Sequence, residues 1–265
     1  MKVGFIGCGN MGGALARAIS SAEGVEILLA DRDSEKASAL AAEIGGVAAT
    51  AESLCKECDF LFLGVKPNGI AALLSELDEA LKLNTGVHLV SMAAGVTLAT
   101  LDGLTTTPHP AIRIMPNTPV AVGEGMTVYA ENALVTEEAE AEFLRIMKPT
   151  GALEKLDEEL IDAACAVSGC GPAFAYMFID ALAQGGEAAG LSRESALLFA
   201  AEMVRGAAKM VLSSTDTPST LKERVCSPGG STIEGVRSLE ADGFTDSVRR
   251  AVSASFQKTK LLGKK

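Results

Sequence analysis

A chain of 265 residues that is 48% hydrophobic carries enough apolar material for a large buried core, and its length divides into two domains. A formal net charge of −11, with 4% aromatic residues and no Trp, supplies neither the excess of Lys and Arg nor the stacking platforms that nucleic acid requires, which excludes it as a partner. The same charge means that an anionic ligand has to be held by local geometry rather than by the field of the whole protein.

In chain order, the apolar strand Met1-Lys-Val-Gly-Phe-Ile6 runs into Gly7-Cys-Gly-Asn-Met-Gly12 and then a helix over 10–20. Each glycine of a dinucleotide fingerprint has a task here: Gly7 permits the tight turn, Gly9 lets the backbone approach a pyrophosphate, and Gly12 lets the helix pack close on the strand. The helix start, at Asn10 and Met11, aims unpaired N–H groups and a positive dipole end at the phosphates. A second apolar strand over 25–30 ends in Asp31, near the offset at which the fingerprint carries an acid. A glycine-rich turn with no nucleotide is the plainer reading, and the strand, helix and acid together weigh against it.

A polar helix over 34–44 stops at Gly45-Gly46, and 47–49 is a short strand. Residues 59–65 form a mostly apolar run of the kind found in a parallel strand covered on both faces, ended by Lys66-Pro67. Helical spacing follows over 70–83, a strand over 86–92 closing with Ala93-Ala-Gly95, and a helix over 98–104. Repeated βα units of this length predict right-handed crossovers and a parallel sheet. Ligands of such a sheet lie beyond the carboxyl ends of its strands, which singles out 7–11, Asp31-Arg32, Val65-Lys66-Pro67 and Ala93-Ala94-Gly95. Lys66 reads either as a solvated strand end or as a cofactor contact. Residues 113–119 read as a turn-rich stretch with two prolines, 125–130 as the last strand, and 136–147 as a helix capped by Thr136, with acids in its first turn and no capping box at Ala139.

After Leu156 the β-branched runs give way to Ala, Leu, Met and Glu, which predicts a dinucleotide-binding domain over 1–156 and an all-helical domain over 157–265. Helices are expected over 157–167, 173–189, 193–212, 219–225, 232–239 and 246–261. Small residues such as Ala181 and Gly185 suit close helix packing within the chain, and so many apolar helices in a short domain also point to burial between subunits. Two turns join them, Ser168-Gly-Cys-Gly-Pro172 and Ser227-Pro-Gly-Gly-Ser-Thr232. In the second, Ser231-x-x-Glu234 has capping-box spacing, which leaves the N–H groups of Gly230, Ser231 and Thr232 at a positive helix end. That is either an ordinary capped helix or an anion site suited to a small carboxylate.

Every apolar run is broken by charge or glycine short of the roughly 18 residues of a membrane span, so none is expected. A secretory signal would have only Lys2 as its basic region. Cys8, Cys55, Cys58, Cys165, Cys170 and Cys226 are scattered without a framework, as free thiols in a reducing, cytoplasmic compartment would be. Cys55-Lys-Glu-Cys58 has C-x-x-C spacing but no second pair beside it, and His88 and His109 are isolated, so no metal site is expected.

Six blocks, in order, carry a resemblance to a known family: Gly7-Cys-Gly-Asn-Met-Gly12, Val65-Lys-Pro67, Ala93-Ala-Gly-Val-Thr97, Arg113-Ile-Met-Pro-Asn-Thr-Pro119, Ser168-Gly-Cys-Gly-Pro-Ala-Phe174 and Val225-Cys-Ser-Pro-Gly-Gly-Ser-Thr-Ile233. Along essentially its whole length the chain resembles pyrroline-5-carboxylate reductase. The expected fold is α/β, an N-terminal Rossmann-type doubly wound parallel sheet with a C-terminal all-helical dimerisation domain. The resemblance implies reduction of the imine carboxylate 1-pyrroline-5-carboxylate to L-proline, the last step of proline synthesis, with NADPH or NADH as hydride donor. It also implies a homodimer with interleaved C-terminal helices, or a ring of such dimers.

The same resemblance assigns cofactor contacts to Ile6, Gly7, Cys8, Gly9, Asn10 and Met11, to Gly64, Val65, Lys66 and Pro67, and to Met92, Ala93, Ala94 and Gly95. It assigns the substrate loop to Ser227, Gly229, Gly230, Ser231 and Thr232, with Thr232 as the catalytic candidate that meets the imine nitrogen. Cys170 stands where many relatives have Ser, and Ser231 where Thr or Ala is common. The Thr232 hydroxyl is too weak an acid to act alone, so a water or an already protonated iminium supplies the proton. Asp31 favours NADH by accepting from a ribose 2′-OH, Arg32 favours NADPH by pairing with a 2′-phosphate, and both cofactors are expected to work. Two rivals stand beside this reading. A hydroxyacid dehydrogenase would need a lysine after its glycine-rich turn, where this chain has Pro172-Ala-Phe-Ala175, and a nucleotide-sensing module would carry out no reaction.

Overall fold

The computed structural model describes residues 1–262, and the chain divides into two units, one of Met1–Cys170 with the C-terminal stretch from Ser255, the other of Gly171–Ala254. In the first unit the order is β1 (Lys2–Ile6), α1 (Asn10–Ile19), β2 (Glu26–Ala30), α2 (Ser34–Ile44), β3 (Val47–Ala48), α3 (Ala51–Glu57), β4 (Phe60–Leu63), α4 (Ile70–Leu81), β5 (His88–Ser91), α5 (Leu98–Asp102), β6 (Ala111–Met115), β7 (Gly125–Glu131), α6 (Glu137–Met147), β8 (Gly151–Lys155) and α7 (Ile161–Ala164). The eight strands form one sheet, ordered β3-β2-β1-β4-β5-β6-β7-β8. All neighbours are parallel except β6 and β7. The order reverses between β1 and β4, and a doubly wound sheet opens its ligand crevice beyond the carboxyl ends of the strands at such a point.

Strands β1 and β4 read as continuous apolar runs because helices cover both faces of the sheet. One face packs Leu61, Leu63, Leu74 and Leu77 with Ile161 and Cys165, and the other packs Phe5, Phe62, Leu15 and Phe143. Phe5 and Phe62 are register partners on adjacent strands, with rings stacked at 4.6 Å.

Several expectations are corrected here. Helix α3 was not anticipated; Thr50 caps it by accepting from the Ser53 N–H at 3.2 Å, and Cys55 and Cys58 are buried beneath it and just after it. The stretch taken as turns from Arg113 onward begins inside β6, a fully buried strand set between Pro110 and Pro116. The strand over 125–130 is not the last, because β8 pairs beside it at the sheet edge. No turn interrupts the chain at Ser168–Pro172 either. A π-helical segment, Cys165–Gly169, runs on from α7, with the Cys170 N–H donating to the Cys165 carbonyl at 2.9 Å. The wider winding carries the two glycines through, and Pro172 sits in the first turn of the next helix, where its missing N–H is tolerated.

The compositional break at Leu156 therefore precedes the structural one, since α7 and the π segment pack on the sheet of the first unit. The second unit holds α8 (Gly171–Ala188), α9 (Arg193–Ser213), α10 (Pro218–Val225), α11 (Ser231–Ala241) and the start of α12 (Phe244–Leu262). Its buried hydrophobic residues are small, Ala183, Ala196 and Ala200, while Tyr176, Met177, Leu198, Phe199, Met203 and Met210 are exposed. The continuous helical run Glu158–Ala188 is long and apolar enough, by length and composition alone, to cross a membrane. The sequence reading takes charged residues and glycines as breaks and expects no such run; here Gly169 lies inside the π segment and Gly171 begins α8, so the helix continues through both.

Candidate active site

The crevice is shaped by glycines that face one another. Gly7 follows β1 with a φ of +105°, and its N–H donates to the Ala30 carbonyl at 2.8 Å. A Cβ on Gly12 would lie 2.1 Å from the Gly7 carbonyl oxygen, and one on Gly64 would lie 2.6 Å from the same atom. The turn after β1, the start of α1 and the end of β4 therefore touch backbone to backbone. Gly9 is the opposite case, with nothing within 4 Å of its Cβ position. It is also the N-cap of α1, with no side-chain cap and no acid in the first helical turn, so the leading N–H groups face open space.

A cavity of about 540 Å³ opens there, lined by Gly9, Asn10 and Met11, by Gly64, Val65, Lys66 and Pro67, by Met92 and Ala94, and by Met115 and Pro116. Four strand ends thus contribute, those of β1, β4, β5 and β6. The expected residues Ile6, Gly7, Cys8, Gly12, Asp31, Arg32, Ala93 and Gly95 do not line it. Ile6 and Ala93 are core residues, Gly7 and Gly12 set the turn, and Gly95 turns the chain after β5 with a φ of +79°. Met115 and Pro116 were missed in the sequence; the available signal was a proline directly after the apolar pair Ile114-Met115. Lys66 is exposed at the rim and forms no ion pair among the described residues.

Asp31 is engaged by the backbone: one carboxylate oxygen accepts from the Cys8 N–H at 2.7 Å and the other from the Asp33 N–H at 3.0 Å. Arg32 is exposed and unpaired among the described residues. Burial and the neighbouring Asp31 carboxylate push the Cys8 thiol up to about 11, so it stays protonated and is no nucleophile at neutral pH.

The far wall of the cavity is braced from β6. The Arg113 side chain is 3% exposed; its Nη1 meets Glu158 Oε1 at 3.1 Å and its Nη2 meets Asp162 Oδ1 at 2.7 Å. The same Glu158 oxygen accepts from the Leu98 N–H at 2.7 Å, at the start of α5. A buried guanidinium is tolerable only when paired in this way. Asn117 donates from Nδ2 to the Ser168 carbonyl at 3.0 Å and accepts at Oδ1 from the Met126 N–H at 2.9 Å.

In the second unit, the stretch Ser227–Thr232 leads into α11. Gly229 has a φ of +71°, and a Cβ on Gly230 would lie 2.5 Å from Ser227 Oγ. The expected capping box does not form. Gly230 is the N-cap, Ser231 is already helical, and Glu234 pairs with Arg237 at 2.6 Å instead of reaching back. The Gly230 N–H is also taken, donating to the Ser227 carbonyl at 3.0 Å. What remains at the helix head are the amides of Ser231, Thr232 and Ile233, which have no earlier turn to donate to, beside the exposed Thr232 hydroxyl.

Residues 158–262 match the family model for pyrroline-5-carboxylate reductase dimerisation, and residues 2–95 match the model for NADP oxidoreductase, coenzyme F420-dependent. The pyrroline-5-carboxylate reductase of Escherichia coli (strain K12) is 40% identical over 267 residues, covering 99% of this chain and 98% of that one. Pyrroline-5-carboxylate reductase 2 of Homo sapiens is 39% identical over 271 residues, covering 99% of this chain and 84% of its own. Among solved structures, the Plasmodium falciparum pyrroline carboxylate reductase with NADP bound superposes with a TM-score of 0.87 at 30% identity, covering 99% of this chain and 98% of that one. The enzyme from Streptococcus pyogenes gives 0.89 at 30% identity, with 98% of each chain covered. With a dinucleotide-type crevice in its first unit, a dimerisation segment that begins at Glu158, and similarity running from end to end, the chain belongs to the pyrroline-5-carboxylate reductases, a family of NAD(P)-dependent oxidoreductases.

Proposed function

We propose that this chain reduces 1-pyrroline-5-carboxylate to L-proline, consuming one NADPH or NADH and one proton per turnover. The observation that carries the reading is the bare N-terminus of α1 opening onto the cavity at the sheet's switch point, in a chain that matches reductases along its whole length. The residues fit a dinucleotide. The space a Gly9 side chain would fill is free for a pyrophosphate, and the first amides of α1 donate to it. Lys66 offers a cation at the rim, and Asp31 and Arg32 meet the adenosine ribose. Gly64 to Pro67 and Met92 to Gly95 frame the nicotinamide end. When bound, the cofactor supplies the hydride.

The chain's own residues hold the imine. The amides of Ser231 and Thr232, in the loop with Ser227, Gly229 and Gly230, take its carboxylate at a positive helix end. The Thr232 hydroxyl hydrogen-bonds the ring nitrogen and fixes which face is presented. The proton comes from water or from an iminium already protonated, because a threonine hydroxyl is too weak an acid. Residues 1–156 serve as the dinucleotide-binding domain and 157–265 as the substrate-binding and dimerisation domain. The working form is a homodimer or a ring of dimers, with neither nucleic acid nor membrane as a partner, and the six free cysteines suit the cytoplasm.

NADPH oxidation with pyrroline-5-carboxylate tests this, and one proline per NADPH is the expected result. Turnover of a hydroxyacid instead would transfer the chain to the dehydrogenases, and cofactor binding without any turnover would make it a sensor.

A further inference from the structure

Strand β6 and the residues directly after it grip the segment after β8 at two points. Arg113 holds Glu158 and Asp162, and Asn117, 8% exposed, holds the carbonyl of Ser168 in the π segment. In an unbroken α-helix that carbonyl would accept from the N–H of residue 172, but residue 172 is proline and has none. The Nδ2 of Asn117 takes the place of the missing donor at 3.0 Å, while its Oδ1 ties the start of β7 through the Met126 N–H. Met115 and Pro116, the two residues directly before Asn117, form the β6 wall of the cofactor cavity. One side-chain amide thus joins the cavity wall, β7 and the π segment, and the next residues after that segment begin α8. Wide π turns recur at functional positions in helices.

We propose that Asn117 is a positioning residue for the reduction: its bond to the Ser168 carbonyl fixes the cavity wall against the π segment, so that its loss lowers the rate of the bound complex rather than the binding of either ligand. This rests on the reductase reading above. Asn117→Asp is the primary variant, because a carboxylate still accepts from the Met126 N–H but cannot donate to Ser168. Pro172→Ala is the second, because it gives the helix an N–H at residue 172 and offers the Ser168 carbonyl an internal partner.

The measurements are kcat, KM for the imine, Kd for NADPH and Tm, on wild type, Asn117→Asp and the double variant. A positioning role gives a fall in kcat of at least about tenfold in Asn117→Asp, with KM and Kd within about threefold, and a double variant that regains Tm but not kcat. If the amide merely satisfies a buried carbonyl, kcat returns together with Tm in the double variant, and the proposal is overturned. A kcat within about twofold of wild type in folded Asn117→Asp overturns it as well. Should Asn117→Asp fail to fold, Asn117→Ser, too short to span to Ser168, carries the same comparison, and failure of both to fold assigns Asn117 to structure alone. A wild type that does not turn over the imine defeats the reductase reading, an outcome distinct from equal rates in wild type and variant.

Discussion

Gly9 and Gly12 lie three residues apart in one turn and are glycines for unrelated reasons. A methyl on Gly12 would sit 2.1 Å from the Gly7 carbonyl, so Gly12→Ala has to push α1 off β1, an overpacking cost of about 1 to 3 kcal/mol read as a lowered Tm. At Gly9 a Cβ meets no protein atom within 4 Å, so Gly9→Val is expected to keep the fold while failing to bind NADPH, its side chain filling the pyrophosphate's place. Calorimetry on the folded Gly9→Val protein checks this, and a wild-type Kd would remove the pyrophosphate from this turn. Asp31 has two duties that one substitution separates. Its carboxylate accepts from the Cys8 and Asp33 amides, and its charge repels a 2′-phosphate. Asp31→Asn keeps an accepting oxygen and loses the charge, so the ratio of kcat/KM for NADPH over NADH is expected to rise. An unchanged ratio would leave Asp31 with the turn as its only task.

At the scale of elements, the head of α11 predicts the behaviour of Thr232. With the Gly230 amide already taken and no capping box formed, the Ser231, Thr232 and Ile233 amides and the Thr232 hydroxyl are the donors left for a carboxylate and a ring nitrogen. Thr232→Ala removes one hydrogen bond to a charged ligand, worth about 1.5 to 3 kcal/mol, and kcat/KM for the imine should fall roughly ten- to hundredfold with NADPH affinity unchanged. An unaltered kcat/KM would take Thr232 out of the site. Which elements could be read from the sequence follows from where their partners lie. Strands β1, β4 and β5 announce themselves because burial on both faces makes them apolar throughout, and the turn after β1 because its glycines are local. Strand β6 hides because Arg113 interrupts its apolar run, and the carboxylates that make that charge tolerable lie 45 and 49 residues further on. Strand β8, Gly-Ala-Leu-Glu-Lys, is a half-exposed edge with no β-branched residue. The π segment looks like a turn because Gly and Pro are what turns use, and only the Asn117 bond from the distant segment after β6 shows where its freed carbonyl goes. The capping box failed for a local reason, the nearer attraction of Glu234 to Arg237.

For the whole molecule, buried groups set a pH window. Burial pushes the thiols of Cys55 and Cys58 up to about 12, so above pH 9 the unfolded chain releases protons that the fold retains, and stability falls as pH rises from about 9 towards 12. Burial also lowers the imidazoles of His88 and His109, so below about pH 6.5 the unfolded chain binds protons that the fold refuses, and stability falls as pH drops. Tm should therefore peak between roughly pH 7 and 9, and Cys55→Ala with Cys58→Ala should flatten the alkaline arm; an unflattened arm would place its origin elsewhere. Assembly follows from what the second unit leaves uncovered. Its buried hydrophobic residues are alanines, while Phe199, Met203 and Met210 stand exposed four and seven residues apart along α9, a single stripe on one helix face. Helices that cannot bury their own large side chains need another surface to do so, and in a family with a dimerisation segment over these residues that surface is a second copy. Phe199→Glu with Met203→Glu sets two like charges on the stripe. The expected outcome by sedimentation is a monomer with a lowered, concentration-independent Tm that still binds NADPH, because the crevice lies wholly in the first unit. A double variant that kept the wild-type mass would move the interface to another face of these helices.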